Sequence, residues 1–246
     1  MLDSDFYLDG VSAKSKGIFC GAPISFSAAV RKTKAVEIPG RSSGDLMLDE
    51  GGFYNREAST TAYVLPKALG QNITAVEAMS TAAGFLFAEY RGYRRLITTE
   101  DSGHYWLAQV KNAAEIAPRL NLLNPFSITF DCQPYAYLTG YDDKTVVASG
   151  DVVNNPTLYN AYPILYITGT AGGEIAFPNG GIEIVDDINT EIAIDCEAGR
   201  AYDPITGANR NYLISSTEFP FFNAGNNAVT MTDAVVKYIP RFREIL

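Results

Sequence analysis

The 246-residue sequence predicts a mainly β protein, in which a β-rich first domain with one helix and a long β-hairpin precedes an all-β sandwich. Three observations support this fold class. Residues 124–140 alternate apolar and polar side chains, as a half-buried strand does. Residues 74–90 carry the one strong helical pattern, and from residue 139 onward short strand-like segments alternate with Gly, Asn, Asp and Pro clusters. We therefore assign residues 1–138 to the first domain and residues 139–246 to the second, with the boundary near residues 134–142.

The chain up to the helix is expected to form short strands and one long hairpin. Residues 5–30 alternate apolar and small polar residues around three glycines, which favours two or three short strands. In residues 45–65, Gly51-Gly52 separates two strand-like runs and predicts a hairpin with the glycine pair at its tip. A hairpin of this length has too little core of its own, so we expect it to lie against another surface.

The apolar residues of this hairpin are candidates for contact with a neighbouring subunit. The hairpin cannot bury Leu46, Leu48 and Phe53 by itself. The dipeptide Pro39-Gly40 predicts a turn before it, and Arg41 is a candidate for pairing across the subunit contact. A head-to-tail contact of this kind closes as a ring or continues as a filament. The predicted interface residues are Pro39, Gly40, Arg41, Leu46, Leu48 and Phe53.

The helix in residues 74–90 has both a start signal and an apolar stripe. Thr74 and Glu77 match a capping box, in which each side chain accepts a hydrogen bond from the other residue's backbone N–H. Apolar residues then recur at steps of three and four, which predicts one buried face. Gly92 is placed to act as the C-cap. The predicted stripe consists of Val76, Met79, Ala83, Leu86 and Tyr90.

The remaining segments complete the first domain. Residues 93–112 predict two strands around a polar turn at residues 100–103, and residues 113–123 fit either a short helix or a loop. The strand within residues 124–140 is expected to end at Pro134, because proline cannot donate a hydrogen bond to a sheet.

The net charge of −9 is unevenly distributed and excludes some partners. Residues 1–138 carry 13 Lys and Arg against 14 Asp and Glu, whereas residues 139–246 carry 6 against 14. A nearly neutral first domain can self-associate with little repulsion, and a strongly acidic second domain argues against nucleic acid. No apolar run approaches the roughly 18 residues of a membrane span, and the acidic N-terminus lacks a secretory signal pattern. We expect neither nucleic acid nor membrane as a partner.

The sequence also indicates no metal or cofactor. Cys20, Cys132 and Cys196 lack metal-ligand spacing, and the last two lie on apolar strand faces, so we expect buried free thiols. His104 is the single histidine, which excludes most histidine-based metal sites and histidine-paired nucleophiles. Residues 203–209 contain oxygen ligands and a glycine but lack the terminal Glu of a calcium loop, so they predict a turn.

One acidic strand is the best candidate for catalysis. Glu191, Asp195 and Glu197 share a strand face, and the last two have a spacing compatible with the paired carboxylates of a retaining glycosidase. Ala193 interrupts the row, and the wet face of an acidic sandwich gives the same pattern with no chemistry behind it. We therefore expect no catalytic residues and no enzymatic activity.

Eight segments of the chain carry a family resemblance through their order and spacing. They are FYLDGVSAKSKGI, IPGRSSGDL, RRLITTEDSGHYWLAQV, FSITFDCQPY, PILYITG, IAIDCEAGRAYD, FPFFNAGNN and IPRFREI. Together they resemble the distal tail (Dit) proteins of siphovirus-type phages and prophages of Gram-positive hosts.

The resemblance implies a structural protein without catalytic residues or cofactors. Its first domain would assemble as a hexameric ring at the distal tip of the virion tail, after synthesis in the host cytoplasm. The ring would be a hub that joins copies of itself to the tail tube protein, the tail tip or tail-associated protein and receptor-binding proteins. The second domain would be a galectin-like β-sandwich on the outside of the ring.

A second class of function stays open from the sequence. The sandwich could be a carbohydrate- or receptor-binding module that contacts the host surface directly, since the chain has 15 Tyr and 13 Phe. A concave face rich in aromatic residues with convergent polar groups would favour this alternative.

Overall fold

The computed structural model describes residues 4–40, 42–70, 72–87, 92–113, 125–216 and 218–246. The chain folds as two units, Met1–Ala136 with Ile245–Leu246, and Tyr137–Glu244. The division after Ala136 falls inside the segment 134–142 in which the sequence placed the boundary. Whether the two units are separable domains stays a prediction.

The first unit is built on one large antiparallel sheet. Its elements are β1 Phe6–Leu8, β2 Val11–Ser12, β3 Ile18–Cys20, β4 Ser25–Phe26, β5 Arg31–Val36, β6 Leu46–Phe53, β7 Arg56–Val64, α1 Pro66–Leu69, α2 Ala75–Phe87, β8 Arg94–Thr98, β9 His104–Ala113 and β10 Phe126–Leu138, with a 3₁₀ turn at Lys14–Lys16. The strand order is β2-β1-β8-β9-β10-β7-β3, and β4 also pairs with β7. The two predicted strands around residues 100–103 are confirmed as β8 and β9.

The core of the first unit lies on the face of β10 that the alternating sequence pattern indicated. Phe126, Ile128, Phe130 and Cys132 are all buried, so this part of the prediction is confirmed. The ring of Phe6 meets that of Phe130 edge to face at 5.4 Å, the arrangement that aromatic quadrupoles prefer.

The predicted end of this strand at Pro134 is wrong, because β10 continues to Leu138. The aligned pairs between β10 and β7 end at Cys132 and Arg56, two residues before the proline. The missing N–H of Pro134 therefore costs the β7 ladder nothing. Beyond the proline the strand enters the second unit, where the Leu138 N–H donates to the Phe242 carbonyl at 2.9 Å.

The helix α2 has the predicted start. The Thr74 N–H donates to Glu77 Oε2 at 2.8 Å, and the Glu77 N–H donates to Thr74 Oγ1 at 3.2 Å, so the capping box is confirmed. The Thr74 N–H, and then the Thr74 hydroxyl, which donates to the same carboxylate at 2.9 Å, favour the charged form and lower the pKa of Glu77.

The predicted buried stripe of α2 is confirmed at Leu86 and wrong in its first two turns. The buried residues are Ala78, Ala82 and Leu86, whereas Val76 is 68% exposed. The apolar residues of α2 form two overlapping series. The series that packs on the sheet is the one that contains Ala78 and Ala82, whose small side chains let the helix axis come close to the sheet. Tyr90, the last residue of the predicted stripe, lies outside the described residues, as do most of the ambiguous residues 113–123.

The long hairpin is present, but the prediction from the sequence paired the wrong strands. β6 pairs with β5, and not with β7, so the connection of the hairpin is residues 37–45. Gly51-Gly52 is not the tip. Both glycines lie within β6 with φ of +79° and +74°, where the β5–β6 register shifts between Arg31 and Thr33. Two consecutive residues with positive φ make a bulge that only glycine adopts without strain.

The second unit is also β. Its elements are β11 Thr145–Val147, β12 Val152–Asn155, β13 Ile164–Phe177, β14 Gly180–Ile184, β15 Ile188–Asp195, β16 Arg200–Tyr202, β17 Ile214–Ser215, β18 Gly225–Ala228, β19 Thr230–Ile239 and β20 Arg243–Glu244, with a 3₁₀ turn at Asn211–Leu213. The strand order is β11-β19-β13-β14-β17, β15 pairs with β13 and β16, and β12 pairs with β18 in a small second sheet. The mainly β fold class is thereby confirmed, and the galectin-like character of this unit stays a prediction.

The long strand β13 organises the second unit. It pairs with β19 along one edge, and with β15 and then β14 along the other. The register shifts after Gly169, where an added Cβ would lie 2.5 Å from Ile184 Cδ1 and 2.7 Å from the Asp233 carbonyl oxygen. A glycine is therefore required at the point where β13 changes partner. None of the described helices in either unit is long and apolar enough to cross a membrane.

The orientation of α2 can be tested with a charge placed on either side of the helix. Ala82→Glu puts a carboxylate on a side chain position that is 0% exposed, so we expect the free energy of unfolding to fall by about 3 kcal/mol. Ser80→Glu, on an exposed position on the opposite side of the helix, is the matched control and should change it by less than about 0.5 kcal/mol. Equal melting temperatures for the two variants in thermal denaturation would contradict this orientation.

Limited proteolysis tests whether the units are separable. We expect the first cuts in the exposed segment 140–144 or in the hairpin connection 37–45, because cleavage requires accessible backbone outside sheets. Mass spectrometry of the fragments should give a stable product that begins near residue 140. Early cleavage inside β13 or β15 would show that the second unit is not an independent domain.

Candidate functional site

The hairpin β5–β6 presents an apolar face whose members are determined by the register of the two strands. Residues directly opposite each other in an antiparallel pair point to the same side. Lys34 lies opposite Leu48, and Val36 lies opposite Leu46. We call these four residues the leucine face. Met47 lies opposite Ala35 and points to the other side of the ribbon.

The leucine face is exposed in the chain. Leu46 is 37% exposed and Leu48 is 44% exposed. Burying a leucine fully stabilises a protein by about 1.5–3 kcal/mol, and a two-stranded ribbon has no second layer that could do so. An exposed apolar face on a projecting ribbon is typical of a surface for contact with another protein.

Interactions at its base hold the hairpin in register. Arg31 Nη1 lies 2.7 Å from Asp49 Oδ2, and the Arg31 guanidinium stacks over Phe53 at 5.6 Å. Phe53 also meets Tyr135 edge to face at 6.0 Å. The pKa of Asp49 is lowered, first because the Gly51 N–H donates to its carboxylate and then because of Arg31. The bulge and the ion pair therefore fix the base and leave the far end apolar.

The predicted interface residues lie in different parts of this hairpin: its connection, its leucine face and its base. Pro39 and Gly40 are exposed residues of the connection between β5 and β6, and Gly40 has a φ of +83°. Leu46 and Leu48 come together on the leucine face, while Phe53 lies at the base. Arg41 lies outside the described residues. That these residues form a subunit interface stays a prediction.

Sequence reasoning missed a second exposed apolar surface, on α2. Val76, Ser80, Ala83 and Phe87 recur at steps of four, three and four, and so lie on one side of the helix. Val76 is 68% exposed and Phe87 is 48% exposed. We call these four residues the α2 outer face. The sequence pattern that could have predicted this face is the second of the two overlapping apolar series in the helix.

The acidic strand that was considered for catalysis is β15, and basic residues neutralise its carboxylates. Glu191 accepts hydrogen bonds from Lys144 Nζ at 2.6 Å and from Lys237 Nζ at 2.8 Å. These two bonds lower the pKa of Glu191. A glycosidase needs one carboxyl group whose pKa is raised, so that it can act as an acid near neutral pH. Glu191 is tuned in the opposite direction.

The other two carboxylates of this row are also engaged. Asp195 Oδ1 accepts the backbone N–H groups of Glu197 and Ala198, both at 3.0 Å. Glu197 is held by Arg241 Nη2 at 3.0 Å and Arg243 Nη1 at 2.5 Å. Asp195 also pairs with Arg241 Nη1 at 3.3 Å, so all three acids are held by basic side chains in an ion network. The prediction that they share one strand face is wrong for Glu197, which lies in the turn after β15.

The aromatic residues beside this network do not form an open platform for a sugar ring. Lys144 Nζ lies 3.5 Å from the centre of the Tyr166 ring, and the Arg200 guanidinium lies 5.2 Å from that of Tyr202. Cations therefore cover the ring faces against which a saccharide would stack.

The other sequence candidates are structural. Asp203 Oδ1 accepts the N–H groups of Ile205 and Thr206 at 2.9 Å each, which lowers the pKa of Asp203 to about 2 and confirms the predicted turn. Cys132 and Cys196 are buried free thiols, as predicted, and burial raises the pKa of Cys132 to about 12. Among the described residues, no group of three or more His, Cys, Asp or Glu side chains could hold a metal ion.

The fold of this chain is similar to that of a phage hub protein of known structure. The structure is similar to that of SPP1 Dit (gp 19.1), described as a paradigm of the hub adsorption apparatus in Gram-positive infecting phages. The TM-score is 0.64 at 15% identity, over 96% of this chain and 97% of that one. The resemblance drawn from the sequence is thereby confirmed at the level of the fold, across both units.

A second similar structure comes from the phage P2 baseplate in its activated conformation with Ca, with a TM-score of 0.48 at 9% identity, over 89% of this chain and 90% of that one. No protein-family model matches the chain. No curated protein sequence matches it significantly either.

The ion network on β15 makes a pH-dependent contribution to stability. Because the pKa of Glu191 is lowered in the folded state, its stabilisation is present above the ordinary Glu pKa of about 4.3 and is lost as the pH falls through the lower folded value. We expect Glu191→Gln to lower the free energy of unfolding at neutral pH by about 1 kcal/mol. The difference from the unsubstituted protein should shrink towards roughly pH 3.

Thermal denaturation across this pH range measures the effect, and Glu183→Gln is the matched control. Glu183 lies directly opposite Glu174 across β13 and β14, so its neutralisation removes a repulsion and should not destabilise the protein. A loss for Glu191→Gln that is the same at neutral and acid pH would show that the network is not electrostatic in origin.

Proposed function

We propose that the protein is a distal tail (Dit) protein, the structural hub of a siphovirus-type phage tail. Its copies form a ring at the distal end of the tail, and the ring joins the tail tube to the tip or baseplate and to host-recognition proteins. The observation that carries this proposal is the similarity in fold to SPP1 Dit over nearly the full length of both chains. A fold alone does not determine a function, so two features of this chain are needed in support.

The first supporting feature is the hairpin. Its leucine face is exposed, and a two-stranded ribbon cannot bury it within one chain. A contact between the ribbon and a different surface of a second copy is heterologous, and such a contact closes as a ring when the rotation between copies permits it. Hexameric closure, as in the family that the sequence resembles, is part of this proposal.

The second supporting feature is the distribution of charge. Residues 1–138 are nearly neutral and can pack against copies of themselves, whereas residues 139–246 carry a net charge of −8 and repel one another. We therefore assign the ring contacts to the first unit, and keep the acidic second units of different copies apart.

The proposed hub is not an enzyme and needs no cofactor. The carboxylates of Glu191, Asp195 and Glu197, the best candidates for catalysis, are paired with lysine and arginine side chains. Its proposed partners are its own copies, the tail tube protein, the tail tip protein and receptor-binding proteins, and its place is the distal tip of the virion tail.

Assembly of the purified full chain tests the proposal. We expect rings in negative-stain images and an oligomeric mass by light scattering at high protein concentration. The double variant Leu46→Asp with Leu48→Asp should weaken each contact at least about tenfold and leave monomers, because it places charges on the leucine face. Met47→Asp, on the opposite side of the same ribbon, is the matched control and should still assemble.

Two outcomes would contradict the proposed hub. Rings that persist in the double variant would show that assembly does not use the leucine face. Unsubstituted protein that is monomeric at all concentrations, and that antibody labelling does not find at the tips of assembled tails, would reject the hub itself.

A further inference from the structure

The α2 outer face is unusual for a surface helix, because two of its four residues are large, apolar and exposed. An amphipathic helix normally presents polar residues to water. Here the exposed side carries Val76 and Phe87, while Ala82 on the opposite side is completely buried. The helix is therefore apolar on two sides, and the sheet of its own unit covers only one of them.

The shape of the α2 outer face matches the spacing of the two hairpin leucines. Val76 and Phe87 are eleven residues apart, which places them about 16 Å apart along the helix. Between them lie the small side chains of Ser80 and Ala83, which leave a shallow trough. Leu46 and Leu48 are two residues apart on one strand, about 7 Å, and so fit between the two larger side chains.

The charges of the two surfaces are also complementary. The described residues of α2 include one charged side chain, Glu77, beside the outer face. The leucine face includes one charged side chain, Lys34, for which the described residues provide no ion-pair partner. Packing two leucine faces on each other would bring like charges together, whereas packing the leucine face on α2 brings Lys34 towards Glu77.

We propose that the α2 outer face of one copy receives the leucine face of the β5–β6 hairpin from the next copy. Both surfaces are exposed within a single chain, so neither is covered by the other there. The contact is heterologous, because it joins two different surfaces, and every copy offers one of each. This inference rests on the proposed hub function and identifies the two halves of its ring contact.

Disulfide trapping between two different chains tests the contact directly. Both full-length chains carry Cys20→Ser, which leaves Cys132 and Cys196 as buried thiols. One chain then carries Leu48→Cys and the other, with a tag that changes its mass, carries Ala83→Cys. We expect mild oxidation of the mixture to give a disulfide-linked heterodimer, which can only form between copies.

The matched control replaces Leu48→Cys with Met47→Cys, the adjacent residue on the other side of the ribbon. We expect about tenfold less heterodimer from the control, since its thiol points away from the contact and lacks the raised effective concentration. Adding Val76→Asp to the Ala83→Cys chain should lower the yield by a similar factor, about tenfold. Circular dichroism verifies that every variant is folded.

The outcomes separate this inference from the proposed function. Equal yields from Leu48→Cys and Met47→Cys, or no heterodimer from either, would overturn the α2 contact. If rings are seen by imaging while the trapped pair is absent, the proposed hub function is supported, and only the assignment of the α2 outer face as the surface that receives the hairpin is wrong. If the trapped pair forms but closed rings are never seen, the contact between α2 and the hairpin is supported and the proposed ring is wrong.

Discussion

The pairing of β10 with β7 is the constraint on which the first unit depends. Three of the seven aligned pairs place a large apolar side chain of β10 opposite a smaller one of β7, as with Phe130 opposite Ala58 and Phe126 opposite Ala62. This alternation lets a sheet pack densely without overlap. Only two residues, Tyr54 and Asn55, separate β7 from β6, so the core sheet also determines where the hairpin leaves the unit.

The core pairing could be predicted from the sequence, because burial on one face of a strand leaves a pattern with period two. Phe126 to Cys132 carry that pattern, and the capping box of Thr74 and Glu77 is equally local. The rest depends on contacts between distant residues. Gly51-Gly52 has the composition of a turn, and only the pairing of β5 with β6 shows that it is a bulge inside a strand.

In the candidate site too, features set by neighbouring residues in the sequence could be predicted, and features set by packing between distant residues could not. Leu46 and Leu48 could be identified from the sequence, because alternate residues of a strand share a face. Val76 and Phe87 could not, because the apolar residues of α2 surround most of the helix, and the sequence cannot tell which side the sheet covers. Burial of Ala78 settles this only after the sheet has formed.

The two exposed apolar surfaces are easier to understand together than separately. Each one alone adds nothing to the stability of a single chain and favours unspecific association. A ribbon that projects from the sheet and a trough on a helix have different shapes, so one copy cannot pair both surfaces with the same patch of another copy. In the proposed contact, each copy would bind one neighbour through Leu48 and another through Ala83. An open chain of such contacts would leave one apolar surface exposed at each end, whereas a closed ring would bury all of them, and this difference would favour the ring.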